Sequence, residues 1–196
     1  AVEQPASTNI ASSGTQAFGN VGLGFNNSLT FTIRNSAAAG AANLNLTNTP
    51  QVAVSGANAA DFTVTAQPVA SVAAAGTTTF IVRFAPSALG PRSAQLSIAN
   101  DDSDENPFVI NLGGTAVLPP EIAVEQPAST NIASSGTQAF GNVGLGLTNS
   151  LTFTIRNSTA AGAANLNLTG TPRVMISGTN AADFTVTTQP DASVAP

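Results

Sequence analysis

The sequence predicts an all-β fold of antiparallel β-sandwich domains in tandem. Apolar and polar residues alternate with a period of two in several segments, and turn-forming residues separate these segments. No segment shows a sustained helical period of 3.6 residues. In addition, the first 24 residues return unchanged at Ala123, so the chain contains a long internal repeat.

The repeat has a constant offset of 122 residues and defines the domains. Ala1–Ala74 aligns with Ala123–Pro196, and 63 of these 74 positions are identical. We therefore expect both copies to have the same fold, with a complete repeat at 1–118 and a second, incomplete copy at 119–196. Val69 aligns with Asp191, the one change from an apolar to a charged side chain, so we place this position on the surface.

Seven to nine short strands are predicted for one repeat. Four segments carry the clearest alternation, and their inward residues are Leu29, Phe31 and Ile33; Phe80, Val82 and Phe84; Ala94, Leu96 and Ile98; Phe108, Ile110 and Leu112. Shorter strands are predicted near residues 16–18, 43–46, 52–54 and 61–65, with turns at 13–14, 22–24, 48–50, 55–56, 90–91 and 101–107. The alanine-rich segment 37–42 is predicted to be a loop, because Gly40 interrupts it. Many short strands in 122 residues are typical of an antiparallel β-sandwich.

The amino-acid composition argues against proteins that bind nucleic acid or membranes. All five basic residues are Arg, the formal net charge is −5, and Lys, His, Cys, Tyr and Trp are absent. This balance argues against binding to nucleic acid or anionic membranes, and no apolar run is long enough to insert in a membrane. No signal peptide is visible, and the chain starts inside the repeat, so we expect the native N-terminus to lie elsewhere. Low charge with abundant Ala, Thr, Ser, Asn and Gly resembles bacterial surface proteins.

The residue inventory also predicts that the protein is not an enzyme and needs no cofactor. Without His, Cys, Lys or Tyr, no side chain of the usual kinds is present to activate a Ser or Thr nucleophile. A pair of carboxylates can hydrolyse glycosides, but the close carboxylates of this sequence share one turn.

That turn is the one candidate metal site. Asp101, Asp102, Asp104 and Glu105 fall within six residues, and carboxylate oxygens are the ligands that calcium prefers. The spacing departs from the EF-hand loop, which has Gly where Pro107 stands and a bidentate Glu at the position of Gly113. The alternative, which we favour, is a solvated hairpin tip between strands that end at Ile98 and begin at Phe108.

An ordered set of motifs resembles the choice-of-anchor D repeat, one of the Ig-like domains that include the ASPM/SPD-2/Hydin type. The motifs, in order, are FGNVGLG (18–24), SLTFTIRNS (28–36), ADFTV (60–64), FIVRFAPSALG (80–90), AQLSIANDDSDENPF (94–108) and INLGGTA (110–116). The resemblance implies tandem Ig-like sandwiches in secreted or surface-attached bacterial repeat proteins. The family usually has Asn-Thr-Gly and a short turn where this chain has Asn35-Ser36 and then AAAGAAN, so the loop here is enlarged.

The junction and the incomplete copy predict how the protein assembles. Leu118-Pro119-Pro120 predicts a short, stiff connection. The second copy lacks counterparts of eight inward residues from Phe80 to Leu112, so residues 119–196 should not close a sandwich alone. The missing strands come either from further residues of the same chain, which the near-identity of the copies favours, or from a neighbouring molecule by strand addition.

Either route gives a linear assembly of repeats, whose partners are other copies of the same repeat. The sequence thus predicts a structural, non-catalytic unit of an extracellular or cell-surface filament. The alternative is a surface adhesin or binding module whose loops contact a partner.

Overall fold

A computed structural model describes all residues from Ala1 to Pro196. The chain divides into two compact units, Ala1–Val117 (unit 1) and Leu118–Pro196 (unit 2), which meet one residue before the boundary that the repeat predicts. Strands are the main secondary structure, with one 3-10 turn in each unit, at Ala59–Asp61 and Ala181–Asp183. The prediction of an all-β fold is confirmed. None of the helical segments has the length and apolar character needed to cross a bilayer.

Unit 1 contains eleven strands. In chain order they are β1 (Val2–Glu3), β2 (Asn9–Ile10), β3 (Gly14–Gly22), β4 (Asn27–Arg34), β5 (Leu44–Asn45), β6 (Ala53–Ser55), β7 (Phe62–Ala66), β8 (Ser71–Val72), β9 (Thr77–Phe84), β10 (Gly90–Ile98) and β11 (Phe108–Val117). The four strands with the clearest alternation lie where the sequence predicts them. The two-residue strands β1, β2 and β8 were not predicted, because a segment of that length carries no periodicity.

Two main sheets form unit 1. One has the order β2-β1-β4-β9-β7, the other has the order β3-β11-β10-β6, and β5 pairs with β8 in a small separate ladder. Each main sheet contributes buried side chains to a single core, an arrangement consistent with a β-sandwich. One pairing departs from the prediction, since β3 runs parallel to β11. Inward and outward residues alternate equally in parallel and antiparallel strands, so the pattern could not distinguish the two directions.

Phenylalanine rings fill the centre of this core. Phe31 stacks on Phe80 with ring centroids 4.9 Å apart, and Phe62 stacks on Phe84 at 4.7 Å. Phe18 meets Phe62 edge to face at 5.5 Å. Four of these five rings come from β4, β7 and β9 of one sheet, and Phe18 comes from β3 of the other, so the rings join the two sheets.

The predicted turn at Gly90-Pro91 is wrong. Gly90 has a φ of +96° and already begins β10, where it lies opposite Ala116. The chain reverses direction before Gly90, in the connection between Phe84 at the end of β9 and the start of β10. Gly and Pro were therefore correct signs of a nearby turn, but they lie at its exit rather than at its centre.

Gly114 in β11 lies against the ring of Phe84 and gives a test of this packing. A Cβ atom at Gly114 would lie 2.7 Å from Cζ and 2.9 Å from Cδ1 of that fully buried ring. We expect Gly114→Ala to destabilise unit 1 by about 1–3 kcal/mol, because the ring cannot yield without losing its own contacts. Urea unfolding followed by circular dichroism measures this, since the chain has no Trp or Tyr for fluorescence.

The adjacent glycine is the matched control. A Cβ atom at Gly113 would meet no atom within 4 Å, so Gly113→Ala should change the unfolding free energy by no more than about 0.5 kcal/mol. Equal unfolding midpoints for the two variants would show that Phe84 does not pack on β11 as described.

Unit 2 contains only four strands. They are β12 (Ile122–Glu125), which pairs with β13 (Thr154–Asn157), and β14 (Leu166–Asn167), which pairs with β15 (Ser193–Val194). Unit 2 on its own thus lacks the two main sheets of unit 1, and the expectation that both copies have the same fold stays a prediction for the completed repeat. The counterparts of β3, β6 and β7 are not strands, because in unit 1 these strands pair with β11, β10 and β9, which have no counterpart in the chain. The absence of a closed sandwich in unit 2 agrees with the expectation for residues 119–196.

Candidate functional site

The acidic residues of the candidate calcium site lie at the tip of the β10–β11 hairpin, between Ile98 and Phe108. Asp101 points back to β5, where its carboxylate accepts hydrogen bonds from the backbone N–H of Asn45 at 2.8 Å and from Nδ2 of Asn45 at 2.7 Å. These two bonds hold the pKa of Asp101 below its usual value. Asp101 therefore ties the hairpin tip to the small ladder of unit 1.

Asn100 organises the rest of this loop. Its side chain is buried, and its Nδ2 atom donates to the carbonyls of Ile98 and Glu105, each at 3.0 Å. Its Oδ1 atom accepts a bond from the backbone N–H of Asp102 at 2.8 Å. The role of Asn100 could not be identified from the sequence, because an asparagine beside an acidic run carries no sign of burial. The loop is held in shape by amide hydrogen bonds within the protein.

Asp102 and Asp104 lie close together at the exposed side of the loop. A hydrogen bond with Asp104, together with burial and the charge of Asp104, raises the pKa of Asp102 above its usual value. No group of three or more His, Cys, Asp or Glu side chains in the chain is arranged to hold a metal ion. Calcium binding by Asp101, Asp102, Asp104 and Glu105 stays a prediction.

A second carboxylate, Asp61, lies inside unit 1 beside the end of the 3-10 turn. It is 2% exposed, and its Oδ2 atom accepts a bond from Nε of Arg92 at 2.5 Å while Oδ1 accepts one from the backbone N–H of Ser87 at 3.2 Å. Burial alone would raise the pKa of Asp61, but the bonds from Ser87 and Arg92 outweigh it, so the pKa lies below its usual value. Asp61 thus joins the start of β7 to β10 of the opposite sheet.

A third carboxylate belongs to a framework that both units share. Glu3 is buried and accepts bonds from Nε of Arg34 at 2.6 Å and from the backbone N–H of Ser7 at 2.8 Å. In unit 2, Glu125 accepts a bond from Nη1 of Arg156 at 2.9 Å. Hydrogen bonds lower the pKa of both glutamates, with the bond from Arg34 as the largest cause for Glu3 and the bond from the Ser129 N–H for Glu125.

Unit 2 exposes the apolar residues that unit 1 buries. Phe31 is 0% exposed, whereas its counterpart Phe153 is 42% exposed. Phe62 is 3% exposed, and its counterpart Phe184 is 47% exposed. The difference has a direct cause, because Phe31 and Phe62 are covered in unit 1 by Phe80 and Phe84 of β9.

We call this surface of unit 2 the open face. It is formed by the exposed rings of Phe153 and Phe184, which both lie beside the ring of Phe140, with centroids 6.4 Å and 5.4 Å from it. Part of the aromatic core is already assembled beneath it, since Phe140 meets Phe184 edge to face at 5.4 Å, close to the 5.5 Å of the corresponding pair in unit 1. Apolar surface of this kind marks a site where further protein packs. The open face is therefore the candidate functional site.

No family model matches the chain, and no curated protein matches it. The resemblance to choice-of-anchor D repeats therefore rests on the sequence motifs alone.

Proposed function

We propose that the chain is a structural, non-catalytic repeat unit of an extracellular or cell-surface filament, built as a linear array of tandem Ig-like β-sandwiches. The observation that carries this proposal is the open face of unit 2. Its aromatic residues are the counterparts of Phe31 and Phe62, which β9 covers in unit 1. The occupant that fits this face is therefore a second copy of the segment containing β9, β10 and β11.

The near-identity of the two copies favours the same chain as the source of this segment. The two copies are identical at 63 of 74 aligned positions, as expected when one unit is duplicated within the same chain. Completing each unit with the next residues of the chain gives an array that grows by one unit for every 122 residues. Strand addition from a neighbouring molecule is the other route, and it also extends the assembly in one direction.

The carboxylates support a role without catalysis. Asp61 and Glu3 are the two most enclosed acids of unit 1, and each is bonded to an arginine that lowers its pKa. Both therefore stay ionised near neutral pH and serve neither as proton donors nor as bases of raised pKa. Their bonds hold strands together, as expected for a protein whose function is mechanical.

An adhesin or binding module is the second candidate. Eight of the eleven differences between the copies lie outside the strands of unit 1, in connections that could meet a partner. However, 33 of the 41 aligned positions outside strands are identical. Such uniform connections fit repeated structural units better than units that each bind a different partner.

Small-angle X-ray scattering tests the filament proposal on chains with increasing numbers of repeats. A linear array lengthens by a constant amount for every added repeat. A binding module places no such requirement on length, and it predicts that a single repeat binds its partner as well as several do, apart from avidity.

A further inference from the structure

A groove lies beside the first strand of unit 1. The groove has a volume of about 580 Å³, and its wall includes Arg34, Asn35 and Ser36 as well as the acidic residues Asp102, Asp104 and Glu105. The backbone N–H groups of Ser36 and Ala42 lie at this end of the unit, are exposed and make no hydrogen bond within the protein. The groove therefore presents free donors to whatever lies beside β4 and the loop after it.

The corresponding place in unit 2 is occupied by the segment Leu118–Ile122. The N–H of Ser158 donates to the carbonyl of Glu121 at 2.7 Å, and the N–H of Ala164 donates to the carbonyl of Leu118 at 2.9 Å. In return, the N–H of Glu121 donates to Oδ1 of Asn157 at 3.1 Å. The segment then continues directly into β12, where Ile122 pairs with Asn157.

The residues that hold this segment are the same in both units. Asn157, Ser158 and Ala164 align with Asn35, Ser36 and Ala42 at the offset of 122 residues. The two asparagines are buried and set in the same way. Nδ2 of Asn35 donates to the carbonyls of Ala42 and Val72, and Nδ2 of Asn157 donates to the counterparts of those two carbonyls. Both grooves thus have the same donors, and the same acceptor atom is present in both, although Oδ1 of Asn35 in unit 1 also accepts the N–H of Ala37 at 3.2 Å.

The chemistry of the groove suits the sequence Leu-Pro-Pro-Glu-Ile. The backbone N–H of Glu121 donates a hydrogen bond to a side chain of the groove. The carbonyls of Leu118, Pro119 and Glu121 each accept a hydrogen bond. Prolines have no N–H to leave unsatisfied, and they hold the segment extended before it docks. One bond is absent in unit 1, because the hydroxyl of Thr159, which donates to the carbonyl of Pro119, has Ala37 as its counterpart.

We propose that the groove of unit 1 is an acceptor site for a Leu-Pro-Pro-Glu-Ile segment that precedes Ala1 and belongs to another copy of the repeat. The inference rests on the proposed function, because it is the array that places such a segment ahead of each unit. Each junction of the array is then docked on the unit that follows it. The connection is held by hydrogen bonds in addition to the stiffness of its prolines.

Hydrogen exchange at single amides tests the site in the full chain. One variant carries Leu-Pro-Pro-Glu-Ile ahead of Ala1, and a matched control carries Leu-Glu-Pro-Pro-Ile, which places a proline where the N–H of Glu121 donates. We expect the first prefix to slow exchange at Ser36 and Ala42 by about tenfold relative to the control prefix and to the unextended chain. The amides of Ser158 and Ala164, which are already bonded, should exchange equally in all three proteins.

Unchanged exchange at Ser36 and Ala42 would overturn the proposal, and so would equal slowing by the two prefixes, because then any extension pairs there. The result is independent of the filament test. Slowed hydrogen exchange together with a compact scattering profile would support the acceptor site and reject the array. Unchanged exchange together with a profile that lengthens with every repeat would reject only the acceptor site.

Discussion

A chain extended past Pro196 with a copy of residues 75–117 should fold a second cooperative domain. The added segment supplies counterparts of eight side chains that are at most 5% exposed in unit 1, namely Phe80, Val82, Phe84, Leu96, Ile98, Phe108, Ile110 and Leu112. Burying each of them is worth about 1.5–3 kcal/mol. The added segment also gives the counterparts of β3, β6 and β7 the strands with which they pair in unit 1.

Differential scanning calorimetry measures this effect. We expect the unfolding enthalpy to rise by about 0.7 kcal/mol for each residue of the completed unit, as for an ordinary globular domain. The matched control appends the same segment with serine in place of Phe80 and Phe84, which stack on Phe31 and Phe62 in unit 1. If the extended chain had no larger unfolding enthalpy than the control, the added strands would not pack on the open face.

The second large effect is expected at the buried ion pair of unit 1. Asp61→Asn keeps the shape of the side chain but leaves the guanidinium of Arg92, 17% exposed, without its partner. Breaking a buried pair by removing one member costs about 3–5 kcal/mol, so we expect the unfolding midpoint of unit 1 to fall by a corresponding amount in urea. The amide oxygen of the variant can still accept the N–H of Ser87, so the loss should come from the pair with Arg92.

The repeat itself provides the control for this variant. Asp183 is the counterpart of Asp61, but its side chain is exposed and forms no salt bridge. Asp183→Asn should therefore change stability by no more than about 0.5 kcal/mol. Equal losses in the two variants would show that the pair with Arg92 does not stabilise unit 1.

The pH dependence of unit 1 follows from the same pair. The folded-state pKa of Asp61 lies below its usual value of 3.8, so its contribution is present above that pH and is lost as pH falls through the folded value. Glu3 and Asp101, whose pKa values are also lowered, act in the same direction. Unit 1 should lose stability from about pH 4 downward, and Asp61→Asn should flatten that dependence.

Local patterns predicted the parts of the fold that depend on local information. Alternation located β4, β9, β10 and β11, and it placed residues such as Phe31 and Ile110 in the core, where both are fully buried. The predicted surface position is confirmed too, since Val69 is 59% exposed and Asp191 is exposed. Each of these predictions needed only the period of one strand or the alignment of two copies.

Features that depend on distant residues were missed. Asp61 was read as the start of a strand, because nothing near it shows that Arg92, 31 positions later, bonds to it. The parallel direction of β3 against β11 and the docking of Leu118–Ile122 also arise between separated segments. The open face is different, since the comparison of the two copies already shows which strands lack counterparts. Comparing two copies of a repeat therefore predicts where strands are missing, even where the pattern of the local residues does not.

The maximum dimension of chains with one to four repeats, measured by small-angle scattering, tests the linear array most directly. A linear array should lengthen by a constant increment of about 34 Å or more for every added repeat, the length of the ten-residue strand β11 at about 3.4 Å per residue. Chains that stay compact, with a radius of gyration that grows only as about the 0.38 power of length, would contradict it.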